Sequence, residues 1–126
     1  MIVGLGIDLV ETARLARILE EHGGRFEARV FTADELADCR RRKDRVQALA
    51  ARFAAKEACM KALGTGWSEG VGFGQIEVVR SANGRPELRL HGVAAERARS
   101  AGAVRWHVSL THQDGIAGAV VVLEAA

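Results

Sequence analysis

The stretch from Phe53 to Gly66 reads FAAKEACMKALGTG and decides how the chain is organised. Alanines and apolar residues dominate it, and Gly64 supplies a stop signal, so the spacing predicts one long helix over 44–63. Such a dry helix has little reason to carry Lys56, Glu57 and Lys61 close together unless they have partners. With successive residues turning by about 100°, Leu49, Phe53, Met60 and Leu63 fall on one apolar stripe, and Lys56 falls inside it. Glu57 and Lys61 stack at i and i+4 on the neighbouring face. Ala50 and Ala54 share that face, and their small side chains leave room for a ligand. An isolated Glu–Lys pair on a helix surface is worth little. An ammonium on an apolar stripe, however, needs a counter-anion or a route to solvent.

Outward from this helix, Ile2 to Val10 reads as a buried strand, interrupted by Asp8. A carboxylate there is costly to bury unless it is paired or binds a cation. Thr12 opens a helix to about Glu21, ended by Gly23-Gly24, with Arg14 and Arg17 on one side of it. Thr32-Ala-Asp-Glu35 is a capping-box pattern that starts a short helix to about Arg41. After the long helix comes a glycine-rich loop, 66–74, containing Trp67. Strands over 75–80 and 87–90 join across Asn83-Gly84, a hairpin signal. A helix over 93–101 follows. Strands over 105–110 and 116–123 are linked by the turn His112-Gln-Asp-Gly115. The order strand, helices, hairpin, helix, hairpin predicts an α+β fold in a single domain over 1–126, an antiparallel sheet packed against one long helix.

Bulk properties narrow the function. A chain of 126 residues that is 48% hydrophobic and 27% charged suits one globular domain with a modest core. The net charge of +2 is too small to argue for nucleic acid. The basic run Arg40 to Lys43 could serve a non-catalytic anion- or nucleic-acid-binding module, but no aromatic residue is interleaved with it. No signal peptide leads the chain and no apolar run approaches a membrane span, so a cytoplasmic protein without membrane contact is expected. Cys39 and Cys59 lack metal-ligand spacing, and reduced, buried thiols are expected.

Asp8 and Glu57, from separate elements, would make a small hard-cation site. Magnesium takes one or two protein carboxylates and fills its shell with water and phosphate oxygens. Lys56 and Lys61 beside it would then face phosphate. His107, Ser109 and Thr111 alternate along a strand that leads to His112 at the hairpin mouth. The residues by themselves reach a metal-assisted site for a phosphate-bearing ligand. Phosphoryl transfer, phosphate-ester hydrolysis and anion binding all stay open at that point.

The motifs together resemble the holo-acyl-carrier-protein synthases, small bacterial phosphopantetheinyl transferases, over nearly the whole chain. Gly6-Ile-Asp8-Leu-Val-Glu11 resembles the family's first motif. Arg52-Phe-Ala-Ala-Lys56-Glu57-Ala with Lys61-Ala-Leu-Gly64-Thr-Gly66 resembles the second. Gly74-Gln-Ile-Glu-Val with Asn83-Gly-Arg-Pro86 resembles the central hairpin, and Val108-Ser-Leu-Thr-His112 the last motif. The chain departs from the pattern in Thr111 for serine, in a missing aromatic after His112, and at Met60.

The resemblance implies transfer of 4′-phosphopantetheine from coenzyme A to a serine of apo acyl carrier protein, releasing adenosine 3′,5′-bisphosphate. It implies that Asp8 and Glu57 hold Mg2+ and that Lys61 neutralises charge on the phosphates. It also places Arg52, Lys56, Lys61, Gly64, Asn83, Gly84, Pro86 and His112 against coenzyme A. Arg14 and Arg17 would dock the acidic carrier protein. A homotrimer with active sites between subunits is implied as well.

Overall fold

The computed structural model describes all 126 residues. Ten elements follow in order: strand β1 (Ile2–Glu11), helices α1 (Thr12–Val30), α2 (Ala33–Cys39) and α3 (Arg45–Leu63), a 3-10 turn (Phe73–Gln75), hairpin strands β2 (Ile76–Arg80) and β3 (Pro86–Leu90), helix α4 (Gly92–Ser100), and hairpin strands β4 (Ala103–Gln113) and β5 (Ile116–Ala125). The α+β architecture with antiparallel strands against a long central helix is the one expected.

The strands divide into two ladders. One has the order β1-β5-β4, and the other is the β2-β3 hairpin. β3 and β4 meet through side chains rather than a ladder, with the Trp106 indole N–H donating to the Leu88 carbonyl at 3.0 Å. In the larger sheet Asp8 lies opposite Ala119, with Ile7 opposite Val120 and Leu5 opposite Val122. One face of that sheet packs on α3. Its other face leaves Leu5, Ile7 and Leu9 at least 60% exposed.

Two expected boundaries moved. Helix α1 does not stop at Gly23-Gly24 but continues to Val30 through a kink at Gly23 (φ 51°, ψ −129°). Glycine enters the left-handed region cheaply, so this pair bends the chain and lets helix resume. The apolar residues beyond it supply the reason: Val30 and Phe31 are buried in a second core with Leu15, Cys39 and Leu49. The last hairpin is also longer than expected. β4 runs through His112 to Gln113, and only Asp114-Gly115 turns, with Gly115 at φ 83°. Asp-Gly is a preferred two-residue hairpin turn.

Helix α3 lies directly on β1, and glycine makes this possible. A Cβ on Gly6 would sit 1.8 Å from the Ala58 carbonyl oxygen, and one on Gly4 would sit 2.4 Å from that of Ala62. Every other residue would hold the helix off the strand. Ala50 and Ala54, expected to leave ligand space, are fully buried in this packing instead. The capping box at Thr32 and Glu35 is formed as expected, and Gly64 ends α3 in the left-handed conformation at φ 76°.

Candidate functional site

Two clefts flank α3. The first is formed where α3 crosses β1. Asp8 projects from the strand, Glu57 from the helix, and Lys61 from the next turn. The Lys61 ammonium donates to Asp8 Oδ1 at 3.1 Å and to the Ile7 carbonyl at 2.9 Å. The cleft has a volume of about 370 Å³ and is walled by Leu9, Ile18, Phe53 and Trp67, with Glu11 and Arg14 at its edge. Burial pushes the Glu57 carboxyl above the ordinary range, and the negative charge of Asp8 adds to this. Lys61, the Trp67 indole and Arg14 act in the opposite direction. Two like charges side by side, one partly desolvated, form a site that gains from a cation.

The donor set fits magnesium. It consists of hard carboxylate oxygens, and no third histidine, cysteine or carboxylate completes an all-protein cage. A site of two carboxylates leaves most of the coordination shell to water and phosphate, which is how magnesium is commonly held.

The second cleft, about 170 Å³, gathers Arg52 from α3, Arg80 and Pro86 from the β2-β3 hairpin, Arg42, and His112 from β4. Arg52 is 1% exposed. It donates from Nη1 to the Ala48 carbonyl at 3.3 Å, and Asp38 stands 3.9 Å from Nη2. Its Nε and Nη2 have no hydrogen-bond partner. A buried guanidinium left open in this way is costly. Both nitrogens are almost wholly covered by protein, so an anion in the cleft meets them only after the side chain or its surroundings shift. Arg80 and Arg42 are drawn to the same place by folding and were not expected there. Arg42 belongs to the basic run Arg40 to Lys43 and pairs with Asp44, two residues on, and Arg80, the last residue of β2, donates to the Gly84 carbonyl within its own hairpin, so neither local setting points to Arg52.

The two clefts face different ways. Arg52 and Glu57 are five residues apart on a helix, so they point about 140° from each other. The structure therefore brings Asp8, Glu57 and Lys61 together, and separately brings Arg52, Pro86 and His112 together. Within one chain it does not merge the two sets.

The remaining expected site residues sort as follows. Arg14 and Arg17 are exposed on α1, and Arg14 lines the carboxylate cleft. Gly64 is exposed at the end of α3. Asn83 stitches its own turn, accepting from the Ser81 hydroxyl and, at 3.0 Å, from the Arg85 amide. Gly84 takes φ 82° there.

Lys56 is shut inside the protein. It is 0% exposed, and its ammonium lies 2.7 Å from Glu35 Oε1, also 0% exposed. It also donates to the carbonyls of Phe73 and Ile76. All three of its N–H bonds are used internally, which corrects the expectation of a ligand contact. From its local pattern Glu35 is legible only as the far half of a capping box with Thr32. Its burial depends on contacts with α3 and β2, which no local pattern reveals.

A family model described as the 4′-phosphopantetheinyl transferase superfamily matches residues 4–121. The chain belongs to that superfamily. It is 55% identical over 129 residues to a holo-[acyl-carrier-protein] synthase of Methylobacterium radiotolerans, covering 99% of this chain and 95% of that relative. Among solved structures, the holo-[acyl-carrier-protein] synthase of Neisseria meningitidis superposes with a TM-score of 0.90 at 35% identity, covering 98% of this chain and 99% of that one. The Helicobacter pylori synthase, solved in complex with coenzyme A, gives a TM-score of 0.84 at 29% identity, covering 95% and 99%. Against this background the phosphopantetheinyl transferase fold accounts for the close seating of α3 on β1, because it sets Asp8 beside Glu57.

Proposed function

We propose that the chain transfers 4′-phosphopantetheine from coenzyme A to a serine hydroxyl of apo acyl carrier protein, with magnesium, and releases adenosine 3′,5′-bisphosphate. The observation that carries this reading is the cleft lined by Arg42, Arg52, Arg80 and His112, in which the buried Arg52 guanidinium keeps two nitrogens without a hydrogen-bond partner. A ligand with a separate terminal phosphate satisfies it, and coenzyme A carries one at the 3′ position. The pyrophosphate would then lie at the Asp8–Glu57–Lys61 cluster. The serine oxygen bonds to the phosphorus bearing the pantetheine arm, the pyrophosphate P–O bond to the nucleotide breaks, and the serine proton passes to Glu57 or to a water beside it. Magnesium held by Asp8 and Glu57 would supply charge neutralisation at the pyrophosphate. Lys61, 55% exposed, can swing from Asp8 to the departing phosphate.

The two-cleft geometry favours assembly. Leu5, Ile7 and Leu9 form an exposed apolar strip on the outer face of the sheet, beside the half-buried Val120 and Val122. Contiguous strips of this kind mark interaction surfaces. A homotrimer closing over it would set the carboxylate cleft of one copy against the cationic cleft of the next. Arg14 and Arg17 stand free beside the carboxylate cleft to steer an acidic carrier protein. No helix is long and apolar enough to cross a membrane. A cytoplasmic role in activating the carrier for acyl-chain assembly such as fatty acid biosynthesis follows from the reading.

Mass spectrometry of apo acyl carrier protein incubated with enzyme, coenzyme A and magnesium tests it. The carrier is expected to gain one phosphopantetheine. Arg52→Met is expected to raise KM for coenzyme A by roughly 10–100-fold, the worth of a charge-assisted hydrogen bond. No mass gain on any apo carrier protein would refute the reading.

A further inference from the structure

Seven of the nineteen residues of α3 are alanine. Helices normally key together through ridges and grooves of side chains, and an alanine surface offers shallow ones. The glycines of β1 fix how close α3 comes to the strand, and Leu49 and Met60 are the only large apolar side chains of α3 that are fully buried, so few ridges resist a roll. Something else must set its rotation, because Glu57 is useful only when it faces Asp8.

The one long polar side chain of α3 that is fully saturated inside the protein is Lys56, adjacent to Glu57. Its ammonium reaches α2 through Glu35, the 3-10 turn through the Phe73 carbonyl, and β2 through the Ile76 carbonyl. Glu35 is itself immobilised. Oε1 accepts the Thr32 amide at 2.9 Å and Oε2 accepts the Val78 amide at 2.8 Å. The Thr32 hydroxyl, which caps α2, donates in turn to Glu77 at 2.8 Å. Lys56 also stands 5.8 Å over the Phe31 ring. Replacing a buried ion pair by apolar side chains often leaves stability unchanged or improved, so stability alone gives weak reason to keep one here.

We propose that the buried Glu35–Lys56 pair is a positioning device for the reaction: it locks the rotation of α3 so that Glu57 faces Asp8. Neither residue touches substrate. The inference rests on the reading of Asp8 and Glu57 as the divalent-cation site. A roll of α3 by about 10° moves a group at the helix surface, about 5–6 Å from the axis, by about 1 Å. Misplacement of that size costs on the order of 100-fold in rate.

The test uses the full chain and the double variant Lys56→Met/Glu35→Gln, which leaves no uncompensated buried charge. Circular dichroism and melting establish that it is folded. Mn2+ affinity is measured by calorimetry, and kcat and KM for coenzyme A are measured separately with apo acyl carrier protein. The expected result is kcat reduced roughly 10–100-fold and Mn2+ affinity reduced, with KM for coenzyme A within about 2-fold of the parent. A folded double variant with parental kcat and Mn2+ affinity overturns the proposal. So does a raised KM with unchanged kcat, which would make Lys56 a ligand contact. Should the double variant unfold, Glu35→Gln alone keeps one carbonyl oxygen for Lys56. Its kcat is expected to fall with KM unchanged, and a parental kcat overturns the proposal equally. Failure of the underlying reading looks different: the unmodified protein itself would bind no Mn2+.

Discussion

Gly6→Ala replaces one hydrogen by a methyl group at the point where β1 and α3 are closest. The new Cβ would begin 1.8 Å from the Ala58 carbonyl oxygen, 2.8 Å from its carbon and 2.9 Å from the Ala62 amide nitrogen. All three are helix backbone, so no side chain can rotate out of the way. The helix must lift by about 1.2 Å before the first contact reaches 3.0 Å, and overpacking of that kind costs roughly 1–3 kcal/mol. For a chain of this size the melting temperature should fall by roughly 4 °C per kcal/mol. The lift occurs at Ala58, next to Glu57, while Asp8 stays with the strand. An increase of about 1 Å in the separation of two groups that must act together is worth on the order of 100-fold in turnover. The assays are thermal melting and phosphopantetheine transfer followed by mass spectrometry. Gly24→Ala is the matched control, because nothing lies within 4 Å of its Cβ position, and it should be neutral. Parental melting temperature and turnover in Gly6→Ala would show that α3 does not rest on the β1 backbone, and the account of how the carboxylates meet would fail with it.

Glu57→Gln removes the partly buried carboxylate beside Asp8; turnover should fall by at least 100-fold with the melting temperature held or raised, and normal transfer would remove Glu57 from the cation site. The same carboxyl carries a pH signature. Burial, then Asp8, raises its folded-state pKa above that of an ordinary glutamate, so between those two values the folded chain holds more protons than the unfolded one. Without metal, stability should therefore fall as pH rises through that window, and a pH series of melts on Glu57→Gln should lack the loss. The Cys59 thiol is fully buried and burial pushes it up to about 12, so iodoacetamide at pH 8 should leave it unmodified until the protein is denatured. Ile7→Glu places a charge in the exposed apolar strip; light scattering should show a trimer for the parent and a monomer for the variant, with transfer lost, whereas a variant of parental mass would place the interface elsewhere.

What the sequence disclosed and what it withheld divide along one physical line. Asp8 and Glu57 were legible because each breaks a pattern within its own element, a carboxylate in a β-branched strand and a carboxylate on a dry helix. Their neighbourhood could be inferred because Asp8 lacked any local partner and Glu57 had only the weak i, i+4 pairing with Lys61. Thr32-Glu35 was legible as a cap for the same reason, since both halves of that bond lie within one turn. Lys56 was legible only as an anomaly. Its anion comes from Glu35, twenty-one positions earlier, and Glu35 had already been accounted for by its own cap. A residue that satisfies a local rule gives no sign of serving a distant partner as well. The ligand space expected at Ala50 and Ala54 failed for a related reason: a small residue on a helix face marks either room for a ligand or close approach of another backbone. Here the core covers both, Ala50 in the cluster with Leu15 and Leu49 and Ala54 in the cluster with Ala58 and Val121, while Gly4 and Gly6 mark the close backbone approach further along the helix, at Ala62 and Ala58. Small residues on both surfaces therefore mean contact, and the carboxylate site exists at the edge of that contact, where β1 and α3 first carry side chains long enough to reach past it.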